Sequence, residues 1–211
     1  DFEESGIWDG EPLSSLALKS NSISYFNDPT ETILFTDNTD NNKNAKNHPN
    51  IIIMHADALR ADHLSSMGYS RPTSPYIDSL VNNGAEQVNY AVSNCSESIC
   101  GILSVLGSKY FKKIDVQTPL IQTYLKKEGY RVVFAGSGKL SWEGLDKIIS
   151  HDMDHFFRSE FDDRYSINDD IVILSALKGM PVYQENPTFF YLHYMSSHPT
   201  GRHYAQYKKF E

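Results

Sequence analysis

The chain has 211 residues, and 19 Lys+Arg against 27 Asp+Glu give a formal net charge of −8 with 40% apolar residues. This composition excludes a disordered tail and supplies one sizeable core, while the lack of any basic block longer than a lysine pair excludes a nucleic-acid-binding footprint. No run reaches the ~18 to 20 apolar residues of a membrane-spanning helix.

The chain opens at Asp1 without Met or a signal-peptide pattern, which reads as a cut end. Residues 1–36 are mixed, with a short predicted helix over Leu13–Lys19 and no role that can be read. Residues 37–50 (DNTDNNKNAKNHPN) include six Asn and no large apolar residue, and read as an exposed linker. Asn50–His55 (NIIIMH) is apolar without alternation, the pattern of a strand buried on both faces of a parallel sheet.

Pro75–Asn83 is predicted as a helix stopped by Gly84, and Gln87–Val92 as the second strand. Ile99, Ile102, Leu103 and Leu106 stand at i, i+3, i+4 and i+7, so a helix with one apolar stripe begins near Ser98. Thr118–Glu128 is a further helix, Tyr130–Ala135 a strand running into Gly136-Ser137-Gly138, Ser166–Lys178 a helix, and Thr188–Tyr194 the last strand. This alternation predicts an α/β fold, a doubly wound and mostly parallel sheet flanked by helices.

In such sheets reactive groups gather where the strands end. Asp57, the Cys95-Ser96-Glu97-Ser98 turn and the stretch His193–His198 all follow or close predicted strands. Each has an ordinary reading: a turn former, a helix N-cap, a hydrogen-bonded core histidine. Together, a carboxylate, a hydroxyl at a helix N-terminus and a histidine compose a metal-assisted nucleophilic site. Cys95 and Cys100, five residues apart, are either a local disulfide or two thiols; spacing does not choose.

Three other groups read as structural or, at most, as peripheral to a site. His151, Asp152, Asp154 and His155 read as a solvated loop, and Asp162-Asp163 and Asp169-Asp170 as helix-start charges. Lys139 follows Gly136-Ser137-Gly138, which lacks phosphate-loop spacing, so Lys139 would at most reach a substrate anion.

The segment Asn50–Pro75, NIIIMHADALRADHLSSMGYSRPTSP, resembles the start of the alkaline phosphatase superfamily core. It is closest to the sulfatase-like branch, which holds sulfatases, phosphoethanolamine transferases and lipoteichoic acid synthases. Gly129-Tyr130, Gly136-Ser137-Gly138-x-Leu140-Ser141-Trp142 and Phe190-x-Leu192-His193-x-Met195-x-Ser197-His198 resemble later landmarks, so the likeness covers about residues 50–207. It implies that residues 51–211 are the N-terminal part of a catalytic core.

By that resemblance Asp57 is a metal ligand, Ser98 the nucleophile and a ligand of the same metal, and Ser96 the second choice for nucleophile. His198 is implied to bind the substrate phosphoryl group or leaving oxygen, with His193 and Lys139 as lesser substrate contacts. The cofactor would be a divalent metal, zinc first, with Mn, Mg or Ca as alternatives. The implied activity is a metal-dependent phosphotransferase or phosphodiesterase working through a phosphoserine. One form is phosphoethanolamine- or phosphoglycerol-type transfer, with a phospholipid or glycan of the cell envelope as substrate.

Sulfatases mature a Cys within Cys-x-Pro-x-Arg, and Cys95-Ser96-Glu97-Ser98-Ile99 has neither Pro nor Arg. A sulfatase or phosphonate hydrolase is therefore the lesser enzymatic alternative, and a non-catalytic domain that binds lipid or protein is the alternative from another class. The family's downstream Asp-His ligand pair has no counterpart before Glu211, so the remaining ligands are expected from a missing C-terminal part. The resemblance also implies an extracytoplasmic place, in the periplasm or cell envelope, and a membrane tether through a segment absent from this chain.

Overall fold

The computed structural model describes residues 48–141, 144–159, 168–181, 186–205 and 209. Four strands, β1 (Ile51–Ala56), β2 (Arg131–Gly136), β3 (His155–Arg158) and β4 (Thr188–Tyr194), form one sheet in the order β1-β4-β2-β3. All three pairings are parallel. Among the described residues five α-helices connect and cover them: α1 (Pro75–Asn82), α2 (Ser98–Gly107), α3 (Ile121–Lys127), α4 (Leu145–Ile149) and α5 (Ile171–Gly179).

The faces of the sheet follow from the period of two. Val132, Phe134, Phe189 and Tyr191 point to one side and meet Ile99, Ile102, Leu103 and Leu106 of α2 and Leu145 and Ile149 of α4 in the main core. Ala135 and Leu192, one residue out of phase, point to the other side and pack on Val172 and Ile173 of α5. Helices on both faces of a parallel sheet make the predicted doubly wound α/β architecture.

Two helices differ from the sequence reading, α4 being unexpected and α5 starting at Ile171 rather than Ser166, and three further elements also differ. Gln87–Val92 is not a strand: it runs as a loop, with Val88, Tyr90 and Val92 at 70%, 95% and 94% exposure. Its alternation mimics a half-buried strand, yet no sheet edge receives it among the described residues. The third helix starts at Ile121 rather than Thr118, because Thr118 precedes Pro119 and is held away from the helical region. Thr118 Oγ1 instead closes a turn by donating to Asp115 at 2.8 Å.

The third difference is β3, which sequence reading passed over. His155-Phe156-Phe157-Arg158 is too short and too polar at its ends to read as a strand. The preceding loop is not a metal cluster: Asp154 accepts the Val132 N–H at 2.7 Å and pairs with Lys126, and Asp152 accepts Thr123 Oγ–H at 2.7 Å. Leu13–Lys19, residues 37–47, Trp142 and Asp162-Asp163 lie outside the described residues.

Candidate active site

Asp57 directly follows the carboxyl end of β1, where its N–H donates to the Tyr194 carbonyl at 2.9 Å and continues the β1–β4 ladder by one bond. Ala58 then turns the chain with a positive φ of 58°. Asp57 is 9% exposed, and its side chain points beneath the start of α2.

Ser98 is the first residue of α2. The apolar stripe of the helix is buried against the sheet, so docking of that stripe sets the helix start over the strand ends. Ser98 Oγ–H donates to Asp57 Oδ2 at 2.8 Å, across 41 residues of chain. The turn before it is braced covalently, since Cys95 and Cys100 form a disulfide with Cα atoms 6.3 Å apart.

Beneath this pair lie two histidines from neighbouring strands. Register pairs His55 with His193, and the odd-numbered residues of both strands face α2. Their rings meet edge to face at 5.3 Å, and His55 Nδ1 is hydrogen-bonded to the Tyr191 hydroxyl at 2.6 Å. His193 Nε2 lies 3.4 Å from Asp57 Oδ2, near enough for charge attraction but without an aligned hydrogen bond. At 2% exposure, both His193 ring nitrogens lack a hydrogen-bond partner.

The electrostatics follow from this packing. Burial would push the Asp57 carboxyl up, but His193 and the Ser98 hydroxyl, together with the nearby charge of His198, hold it below the ordinary carboxylate value. Burial and then His193 lower the His55 imidazole, with Asp57 opposing. Burial followed by the Asp57 charge pushes the Tyr191 phenol well up. Asp57 is thus held as an anion by His193 and the Ser98 hydroxyl.

After β4 the chain turns back over the same crevice. Ser197 Oγ–H donates to the Asp57 carbonyl at 2.8 Å, and His198 N–H to the Met195 carbonyl at 2.9 Å. His198 Nδ1 accepts the Thr200 N–H at 3.2 Å and sits 2.7 Å from Thr200 Oγ1. With Nδ1 accepting, the proton of the neutral ring belongs on Nε2, which makes that nitrogen a donor.

Asp57, Ser98, His193 and the His198 loop therefore converge. Ser96 and Lys139 are both exposed, and neither bonds to Asp57 or Ser98. Sequence reasoning missed His55 and Tyr191, whose part in the site depends on strand register alone. Asp169-Asp170 do stand at a helix start as read, Asp169 accepting the Ile171 N–H at 3.2 Å, but both also reach across to the chain after β4, which sequence reasoning missed.

The donor set at Asp57 and Ser98 suits a hard or borderline dication: two oxygens 2.8 Å apart, one anionic and buried. The His193 imidazole beside them contacts Asp57 without an aligned hydrogen bond and has ring nitrogens left to meet a further polar group. Among the described residues no group of three or more His, Cys, Asp or Glu side chains is arranged to hold a metal.

Asp57 at the end of β1 and Ser98 at the start of α2 thus meet at the carboxyl edge of a parallel α/β sheet. The sulfatase family profile matches residues 49–211, and the chain belongs to that family. No curated protein matches the chain by sequence.

Among solved structures, the Zn complex of the C-terminal periplasmic domain of EcEptC from Escherichia coli is similar at 14% identity and TM-score 0.60. The match covers 75% of this chain and 47% of that one. The soluble domain of lipooligosaccharide phosphoethanolamine transferase A from Neisseria meningitidis is similar at 17% identity and TM-score 0.59, over 76% and 50% of the two chains. An alkaline phosphatase superfamily protein from Vibrio parahaemolyticus is similar at 19% identity and TM-score 0.58, over 77% and 43%. The chain thus spans about half the length of these structures, which share its fold.

Proposed function

We propose that this chain carries the nucleophile half of a metal-dependent phosphotransferase or phosphodiesterase, with Ser98 as nucleophile and Asp57 as a metal ligand. The observation that carries the reading is the 2.8 Å hydrogen bond from Ser98 Oγ to a buried, ionised Asp57 at the start of α2. A divalent cation, zinc before Mn, Mg or Ca, would be held by the Asp57 carboxylate and Ser98 Oγ, and when bound supplies Lewis acidity at the reacting oxygens. The solved relative described as a complex with Zn supports that order. Further ligands are expected from a C-terminal part of the protein.

The residues present divide the remaining tasks. Asp57 accepts the hydrogen bond that orients the Ser98 hydroxyl, and the α2 N-terminus favours negative charge on Oγ as its proton passes to solvent and the oxygen attacks phosphorus. The Oγ–P bond forms as the bond from phosphorus to the leaving oxygen breaks, leaving a phosphoserine. Water or an acceptor hydroxyl then takes the phosphoryl group. His198, with Nδ1 occupied by Thr200, offers Nε2–H to a phosphoryl or leaving oxygen. Ser96, His193 and Lys139 are secondary to these, and of the three His193 has the strongest claim because it contacts Asp57.

Phosphoethanolamine- or phosphoglycerol-type transfer to an envelope lipid or glycan is the most concrete form of this reading. It is supported by relatives described as phosphoethanolamine transferases and as periplasmic or soluble domains. An extracytoplasmic place and a membrane tether belong to the same proposal; no described helix is long and apolar enough to cross a membrane. The sulfatase reading needs a free Cys95 to mature, and the Cys95–Cys100 disulfide speaks against it.

The test is Ser98→Ala in the full-length protein. Turnover of a phosphodiester and phosphoryl labelling of the tryptic peptide holding residue 98 should both vanish while the thermal melt is unchanged. Undiminished turnover would sink the assignment. Zinc measured by elemental analysis should fall in Asp57→Ala; equal metal in both, or none in either, would favour a binding domain without catalysis.

A further inference from the structure

Three consecutive residues at the start of α5, Asn168, Asp169 and Asp170, each bond to the chain that follows β4. Asp170 Oδ1 accepts the Met195 N–H at 2.7 Å and Oδ2 accepts the Ser196 N–H at 2.9 Å, so one carboxylate takes two successive amides. Ser137 Oγ–H, at the end of β2, also donates to Asp170. Asp169, 2% exposed, accepts the Tyr204 hydroxyl at 2.6 Å and pairs with Arg202 at 3.3 Å. Asn168 Nδ2–H donates to Thr200 O at 3.1 Å and Oγ1 at 3.0 Å, and its carbonyl accepts the Arg202 N–H at 3.0 Å.

These bonds grip residues 195, 196, 200, 202 and 204, and so enclose His198 on both sides. Thr200, held by Asn168, is the same residue whose N–H fixes His198 Nδ1. Within the loop, His203 Nε2–H donates to Ser196 O at 2.7 Å. Gly201 lies so close to the chain before it that an added Cβ would come within 2.0 Å of the Met195 carbonyl. A segment of loop held by a carboxylate, an amide and a close backbone approach has little freedom to swing its imidazole.

We infer that Asn168, Asp169 and Asp170 are positioning residues that clasp the loop 195–204 and thereby aim His198 at the phosphoryl group held at Ser98. The inference rests on the roles proposed above for Ser98 and His198. The clasp also explains why two carboxylates stand together at a helix start: each accepts from a different part of the loop, and α5 supplies a rigid base. Asp170→Asn is the sharpest probe, because its amide would turn a donor toward one of two backbone N–H groups.

The experiment is a double-mutant cycle in the full-length protein, with Asp170→Asn, His198→Ala and the pair. Asp170→Asn should lower kcat for a phosphodiester by about tenfold or more when His198 is present, and by less than about twofold in the His198→Ala background. Equal losses in both backgrounds, or no loss in either, would overturn the inference. Hydrogen exchange gives a readout independent of turnover: amides of 195–204 should exchange at least about tenfold faster in Asp170→Asn, with α2 unchanged. Unchanged exchange also overturns it. Should Asp170→Asn fail to fold, Asn168→Gly replaces it in both assays, since glycine keeps the positive φ of 66° and deletes only the side-chain bonds to Thr200. If wild type shows no Ser98-dependent turnover, the phosphotransferase reading fails, and hydrogen exchange alone decides the clasp.

Discussion

Ala58 adopts φ +58° one residue after the proposed ligand Asp57, in a region where a Cβ costs about 1–2 kcal/mol. The turn is what sends the chain away from β1 while leaving the Asp57 side chain under α2. Ala58→Val, with a β-branched side chain at positive φ, should destabilise by about 1–3 kcal/mol in chemical denaturation. Ala58→Gly relieves the strain but adds freedom to the unfolded chain, so it should lie within about 1 kcal/mol of wild type. A valine variant as stable as the alanine protein would mean that the turn is not held in this conformation. At this scale the sequence showed Asp57 and Ser98, because a carboxylate after an apolar run and a hydroxyl at a helix start are local patterns. It ranked His193 below His198 since nothing local says that register sets His193 beside His55 and within 3.4 Å of Asp57.

Helix α1 shows how one element depends on a small polar network. Asp78, in its first turn, accepts Ser65 Oγ–H at 2.5 Å and Ser74 Oγ–H at 2.9 Å, and Ser74 also accepts the Ser65 N–H at 2.9 Å. The Ser65 bond, helped by Ser74 and backbone N–H groups, holds the Asp78 carboxyl below its ordinary value of 3.8. A carboxylate whose folded pKa is depressed adds stability that is complete above the unfolded pKa and lost as pH falls through the folded one. The gap in melting temperature between wild type and Asp78→Asn should therefore be open at neutral pH and close on acidification below about pH 4. A gap independent of pH would show that the charge plays no part. Elements differed in how plainly they could be read. β1, β2 and β4 are runs of large apolar residues and were visible, but only β2 and β4 are covered on both faces; the expected burial of β1 on both faces fails because it is an edge strand with Ile52 and Met54 exposed. β3 was not visible, because its polar ends hide a strand of four residues, and Gln87–Val92 has the alternation of a strand but pairs with no strand among the described residues. The clasp of Asn168–Asp170 was invisible because a helix-start acid looks the same whether it caps its own helix or reaches a loop 25 residues on.

At the scale of the whole molecule, the order β1-β4-β2-β3 leaves β1 at an edge with no further strand beside it among the described residues. Ile51 and Ile53 are packed on the main core, but Ile52 and Met54, on the other face, are 58% and 67% exposed. α5 covers that face over β2 and β4 and does not extend to β1. An edge with unpaired backbone groups and bare apolar side chains is a template for association. The 211-residue chain should accordingly form concentration-dependent oligomers across the micromolar range in sedimentation velocity. Replacing both residues, Ile52→Lys with Met54→Lys, should shift it toward monomer, because charges on an edge strand oppose pairing. Neither substitution touches the Asp57–Ser98 pair or the α2 face of the sheet, so the 2.8 Å contact that carries the functional reading should survive in the double variant. A wild-type chain that stays monomeric throughout that range would show that this edge is protected, and the β1 face would then need a cover other than a second copy of itself.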